Sequence, residues 1–200
     1  KEIDEVRAKV EKKPFKKSEE KIVKNNKVST TDSDSGWFHK GEHKEVFAYS
    51  AQVACDPNGW VLGYTADRGN LHDSRTFFDL YAKLIQKFPE IDTVVADAGY
   101  KTPAIAKKLI DDGRTGLFPY TRPRGKKELF RKRDFSYDYS NNTYTCPNGK
   151  QLIYKTTRRD GYQEYRTTKT NCITCPLLTQ CTRSQTKQKT VFRHIWQLYL

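Results

Sequence analysis

Apolar and polar positions follow two rhythms along this chain, and the change from one to the other predicts its elements. Val46–Ala54 and Trp60–Ala66 are runs of strand formers, residues that suit a pleated, half-buried surface. Between them, Cys55-Asp56-Pro57-Asn58-Gly59 predicts a tight turn: Pro and Asn set the bend and Gly accepts positive φ. The two runs therefore predict a hairpin. The spacing then changes to threes and fours. Phe77, Leu80, Tyr81, Leu84, Ile85 and Phe88 would share one face of a helix running from a cap at Asp73 to Phe88. Asp92–Asp97 contains the unbroken apolar run Val94-Val95-Ala96, which predicts a buried central strand. Thr102 and Pro103 open a second helix with Ile105, Leu109 and Ile110 inside, and Gly113 ends it. Gly116–Tyr120 predicts one more short strand. Strand, strand, helix, strand, helix, strand is the order of an α/β core with a mixed sheet.

The flanks read differently. Ile3, Val6 and Val10 make a weak helical stripe, and Lys12–Lys27 is mostly Lys, Glu and Asn. Residues 1–28 are expected to be a charged helix end and linker. The core is expected over 29–121. Beyond it, 122–189 form a basic insertion, with short strands and turns over the Tyr-, Thr- and Asn-rich residues 136–170. Thr190–Leu200, with Val191, Ile195, Leu198 and Tyr199 among polar residues, predicts the start of a helix leading to a further part of the core.

Charge sharpens this division. The formal net charge is +13, distributed as +4 over residues 1–27, −3 over 28–120 and +12 over 121–200. A basic stretch of that density favours a polyanion, most often nucleic acid. Arg122, Arg124, Lys126, Lys127, Arg131, Lys132 and Arg133, interleaved with Phe130 and Phe135, are the candidate DNA-binding residues. No apolar run is long enough for a membrane helix and no signal peptide is recognisable, so a soluble, intracellular protein is expected. The chain has no Met, even at position 1, which points to a piece of a longer protein.

Candidate chemistry is sparse. Asp97 would end the buried strand, followed by Ala98-Gly99-Tyr100. In open α/β sheets that edge is where ligands bind, so Asp97 is either a metal ligand or the cap of a turn. Of the five cysteines, Cys55 reads as a small buried thiol in the hairpin. Cys146, Cys172, Cys175 and Cys181 are spaced Cys-x25-Cys-x2-Cys-x5-Cys. Four thiolates suit a structural zinc, although the first lacks a near partner. A zinc site and four free thiols both remain open. His72-Asp73-Ser74 reads as a helix cap through Asp73, and His39 and His43 as exposed residues around Gly41.

Several segments together resemble the DDE transposases of bacterial insertion sequences, which have an RNase H-like fold. They are Ser29-Thr-Thr-Asp-Ser-Asp-Ser-Gly-Trp37, Lys40-Gly-Glu-His-Lys44, Gly69-Asn-Leu-His-Asp-Ser74, Val94-Val-Ala-Asp-Ala-Gly-Tyr-Lys-Thr-Pro103, Cys146-Pro-Asn-Gly-Lys150, the Cys172–Cys181 cluster and Arg193-His-Ile-Trp196. Each is modest alone, but their order and spacing over residues 29–200 are specific.

The resemblance implies an enzyme that cuts and joins double-stranded DNA at the element's ends and its target. In that family three carboxylates hold two divalent metals, magnesium or manganese, and the reaction is an in-line attack on phosphorus. The Val-Ala-Asp-Ala-Gly-Tyr motif puts the middle carboxylate at Asp97. The first belongs to an Asp-Gly-Thr or Asp-Ser-Thr strand, which lies in the middle of the family's sheet between the hairpin and the strand of Asp97. Asp32 and Asp34 are poor substitutes for it, and the last, a helical Glu, follows the segment like Arg193–Trp196. One of three carboxylates is therefore expected here, in a chain inactive alone, within a bacterial cytoplasm and an assembly that is a candidate homo-oligomer. A competing reading is a non-catalytic nucleic-acid-binding remnant with a zinc-binding cysteine module. A metal-dependent nuclease of the same fold is weaker, because the cysteine-containing insertion fits transposases better.

Overall fold

The computed structural model describes residues 2–15, 27–40, 44–121 and 128–199. The chain divides into two compact units, one formed by residues 18–121 with 198–200, the other by 1–17 with 122–197.

In the first unit, β1 (Gly36–Lys40), β2 (Lys44–Cys55) and β3 (Val61–Arg68) form an antiparallel sheet in the order β1-β2-β3. The expected hairpin is β2–β3. Its turn is held by Asp56 Oδ1, which accepts from the backbone N–H of Asn58 at 2.9 Å and of Trp60 at 2.8 Å. Gly59 takes φ +87° there. The strand β1 has no alternating pattern to announce it and forms by pairing with the first half of β2, Gly36 opposite Ala48. The faces of the hairpin are reversed from the usual arrangement. Gln52 and Thr65, partners across the ladder, are only 6% and 8% exposed, while Val53 and Tyr64 face outward.

Helix α2 (Asp73–Lys87) buries Phe77, Leu80 and Tyr81, with Leu84, Ile85 and Phe88 half-buried. Its cap differs from the expected one. His72 is the N-cap, with Nδ1 accepting from the Ser74 N–H at 3.2 Å, and Asp73 is the first helical residue. A carboxylate in that place is still favoured by the positive end of the helix dipole. Strand β4 (Thr93–Val95) pairs in parallel with β5 (Thr115–Leu117), and α3 (Pro103–Asp111) connects them. Thr102 caps α3 by accepting from the Ile105 N–H. Ile105 and Leu109 join Phe77 and Tyr81 in one core, against which Phe78, Ile85, Val94, Tyr100 and Phe118 pack.

Two expectations need correction here. Ile110, placed inside by its spacing, is 52% exposed, because the buried stripe of α3 ends at Leu109. The strand before Asp97 is not enclosed. Among the described residues β4 pairs only with β5, and Val95 is 75% exposed. Beyond its other edge lies a cavity of about 640 Å³ whose walls include Gln52–Pro57 of the β2 end, Leu80 and Leu84 of α2, and Thr93–Asp97.

In the second unit, β6 (Ser136–Asp138), β7 (Thr143–Thr145), β8 (Gln151–Thr157), β9 (Tyr162–Arg166) and β10 (Val191–His194) form an antiparallel sheet in the order β10-β9-β8-β7-β6. Short helices α4 (Lys169–Ile173) and α5 (Leu178–Cys181) follow β9. Phe135, Tyr144, Leu152, Tyr165 and Val191 are its core, with Tyr165 fully enclosed. Burial of Phe135, Leu152 and Val191 contributes about 1.5–3 kcal/mol each. The expected helix at 190–200 is instead β10 followed by a 3-10 turn at Gln197–Tyr199. Val191 and His194 are buried and Phe192 is exposed, and pairing of Val191–His194 with Tyr165–Tyr162 satisfies both backbones. Residues 2–15 belong to this unit. Helix α1 (Glu2–Ala8) sends Arg7 to the Thr157 carbonyl at 2.9 Å, and Asp4 accepts from the Phe15 N–H at 2.9 Å.

Candidate metal centre and nucleic-acid interface

Asp97 follows the last residue of β4 by two positions and precedes a 3-10 turn at Ala98–Tyr100. Its Oδ1 accepts from the Gly99 N–H at 2.7 Å, and the residue is exposed. It therefore caps a turn, as one of the two expectations had it, and at the same time presents a carboxylate at the carboxyl end of a parallel strand.

A second carboxylate stands beside it. A Cβ placed on Gly99 would meet Asp97 Oδ1 at 3.0 Å and Asp73 Oδ2 at 3.5 Å. The hydrogen-only side chain of Gly99 thus leaves a small cradle open between two aspartates from different elements. Asp73 is held by Gln52, whose Nε2 donates to Asp73 Oδ1 at 3.3 Å and to Ser50 Oγ at 3.1 Å. The Tyr100 hydroxyl donates to Gln52 Oε1. Burial first, and then the charges of Asp73 and Asp97, push the Tyr100 hydroxyl above its ordinary pKa, so it remains a donor at neutral pH. Facing Gln52 across the ladder, Thr65 has a buried hydroxyl without a hydrogen-bond partner, as does Asp67 Oδ2 two residues on. Hard carboxylate oxygens and an under-satisfied polar wall suit a small divalent cation with oxygen ligands. Two carboxylates fall short of a full ligand set, and among the described residues no three His, Cys, Asp or Glu stand at ligand spacing.

The late cysteines come together although they are distant in sequence. Cys146, Cys172, Cys175 and Cys181 line one small cavity of about 30 Å³, with Phe135, Leu152 and Leu178 around it. All are free thiols. Burial raises the pKa of Cys172 and Cys181 above the ordinary thiol value, and the other cysteines add to the rise. Asn148 Nδ2 donates to Cys175 Sγ at 3.4 Å. The four are gathered, but they are not drawn in to coordinate a metal as they stand. Cys55, expected to be buried, is exposed at the end of β2, where the ladder shifts register.

Among the expected DNA contacts, Arg122, Arg124, Lys126 and Lys127 lie outside the described residues. Arg131, Lys132 and Arg133 carry a 3-10 turn at Lys132–Asp134 whose carboxylate, Asp134, accepts from the Arg131 N–H at 2.6 Å. Arg133 is exposed and lies 3.9 Å from Asp134. Lys132 donates to Gln197 Oε1 at 2.7 Å, and packing around its ammonium, then Arg193, lowers its pKa. His39 is exposed as expected, 3.6 Å from Glu45, and His43 lies outside the described residues.

Part of the positive charge is structural, which its residue count alone does not reveal. Lys189 donates to the carbonyls of Phe130 at 3.0 Å and Cys181 at 3.2 Å. Arg193 lies 4.1 Å over the Tyr137 ring and 5.0 Å from that of Tyr139, a cation–π arrangement. Bonds to Tyr144 and Tyr139 raise its pKa against the opposing effect of burial.

No curated protein and no solved structure matches this sequence. One family model, described as the transposase DDE domain, matches residues 3–192.

Proposed function

We propose that this chain, which belongs to the transposase DDE domain family, supplies the middle metal-binding carboxylate of a DNA transposase through Asp97. The family is enzymatic, acts in DNA transposition and uses divalent metal ions, and the mixed α/β architecture of the chain is consistent with its RNase H-like fold. The observation that carries the finer reading is the placement of Asp97 just beyond a parallel strand, above a glycine turn. In an in-line phosphoryl transfer, magnesium or manganese held there supplies charge neutralisation at the reacting oxygens. Asp97 contributes a fixed negative oxygen, and Gly99 N–H fixes its rotamer.

The other two carboxylates of the family pattern come, in this reading, from outside residues 1–200. The cavity between β2 and β4 supports this, because the family's first strand runs between the hairpin and the strand of Asp97. The element is a bacterial insertion sequence, its active assembly a homo-oligomer on the element's ends, and its place the bacterial cytoplasm. The four gathered cysteines are assigned to a structural zinc that would draw their thiolates together on binding, closed to catalysis because four thiolates leave no open position. The opposing remnant reading, DNA binding without cleavage, is favoured by no separate observation.

The test uses this chain alone and the same chain joined to its flanking coding sequence. The chain alone should not cut DNA bearing the element's ends. The extended protein should cut in the presence of magnesium, and Asp97→Asn should lower cleavage by about a hundredfold or more, while DNA affinity stays unchanged; metal clamps account for several kcal/mol of transition-state stabilisation. Full cleavage with the Asp97→Asn variant would overturn the assignment.

A further inference from the structure

A single aspartate recruits a hydrated magnesium ion only weakly, because the ion gives up its water reluctantly. The arrangement around Gly99 offers a second oxygen ligand from outside the family's set of three. Asp73 Oδ2 and Asp97 Oδ1 approach the same point, 3.5 Å and 3.0 Å from where a Gly99 Cβ would stand. Among the described residues neither carboxylate is paired with Lys, Arg or His. Two anionic oxygens that face one space suit a small divalent cation with oxygen ligands. Asp73 is also not left to swing away. Gln52, almost fully buried, grips its other oxygen, and the Tyr100 hydroxyl fixes the amide of Gln52 in turn. Tyr100 belongs to the very turn that Asp97 caps. Asp73 is therefore tied, through Gln52 and Tyr100, to the turn that Asp97 caps.

We propose that Asp73 is a further metal-ligating residue that shares one divalent cation with Asp97, and that Gln52 is its positioning residue. The inference rests on the transposase reading of Asp97. Sharing one cation gives it a second anionic oxygen, and Gln52 keeps Asp73 turned toward Gly99. A Cβ at position 99 would stand in the space between the two oxygens, tight against Asp97 Oδ1.

The experiment is titration of Mn²⁺ alone into the full chain, read as loss of the free-ion electron paramagnetic resonance signal, with far-ultraviolet circular dichroism to check folding. Asp73→Asn and Asp97→Asn should each weaken Mn²⁺ binding by about tenfold or more, and the double variant should lose little beyond either single one, since both oxygens serve one ion. Gln52→Ala should weaken it by about tenfold, within the usual range for residues that orient ligands. Gly99→Ala should weaken it without unfolding the chain, and Asp79→Asn, an exposed position on the same helix, should leave it unchanged. Weakening by Asp97→Asn but not by Asp73→Asn would overturn this inference and leave the transposase reading standing. No change with either would remove both. Weakening by Asp73→Asn alone would mean that Asp73 binds the ion without Asp97, which overturns the shared site.

Discussion

At the scale of single residues, Tyr81 shows how one group ties the core to acid stability. Its hydroxyl donates to Asp112 Oδ2 at 2.8 Å, and burial, then this carboxylate, pushes its pKa up to about 12. The Asp112 carboxyl is held below the ordinary range by Lys108 first and Tyr81 second. A depressed carboxyl pKa gives stability that is present above the unfolded value, about 3.9, and is lost as pH falls through the folded value. Tyr81→Phe should therefore narrow the gap between melting temperatures measured at about pH 6 and about pH 3 by up to a few degrees. An unchanged gap would show that the bond contributes nothing. Legibility at this scale is uneven. Asp97 could be picked out because an apolar run ends on it and a glycine follows. Asp73 read as a cap, since nothing in a linear sequence brings residue 73 to residue 99. Gln52 was hidden by the hairpin's reversed faces: its inward position is visible only once the strand's partner and the packing of α2 are known.

Elements were legible where the local chemistry is strong. The Asp56–Trp60 turn, α2 and α3 formed where their residues predicted them. The turn at Lys132–Asp134 tests the basic character of the second unit. Replacing Arg131, Lys132 and Arg133 by Ala should weaken binding to random duplex DNA and reduce the salt slope by up to about 3, because each phosphate contact contributes about 0.9 to it. A slope equal to that of the parent chain would assign the turn to the fold, through Asp134 and Gln197, and not to DNA. The cysteine cavity makes a separate prediction. Protein purified without chelator should contain about one zinc per chain and release protons on reloading, since buried thiols must ionise to bind. Absence of zinc, with all five thiols open to a thiol reagent, would contradict it. Val191, Ile195 and Leu198 fit a helical stripe as well as a short strand, and only the open edge of β9 decides for β10.

For the whole molecule, the first unit's weak line is the gap beside β4. Among the described residues its edge and that of β2 past Ala48 have no strand partner on the cavity side, and unpaired edges expose backbone donors and apolar side chains. Amides of residues 93–97 should exchange with solvent faster than those of β8 and β9 by hydrogen-exchange mass spectrometry, since few buried contacts hold them. Equal protection would mean that the gap is closed in solution. The mixed α/β class followed from element order, but the reach of the second unit did not. Residues 2–15 looked like a charged linker because their partners stand at the far end of the sequence: Arg7 meets Thr157, and the Glu2 carboxylate accepts from the Trp196 indole at 2.9 Å. That separation matters at the ribosome. At about 5–20 residues per second, Ile3, Val6 and Phe15 emerge roughly 10–40 s before the strands that cover them. The described elements around Asp97, from β1 to β5, are made in one shorter stretch of synthesis, so they can form while the neighbouring unit is still waiting for its last strand. A chaperone that held residues 2–15 would delay only the basic, cysteine-bearing unit, and a stall in translation after residue 121 would leave the elements around Asp97 already made.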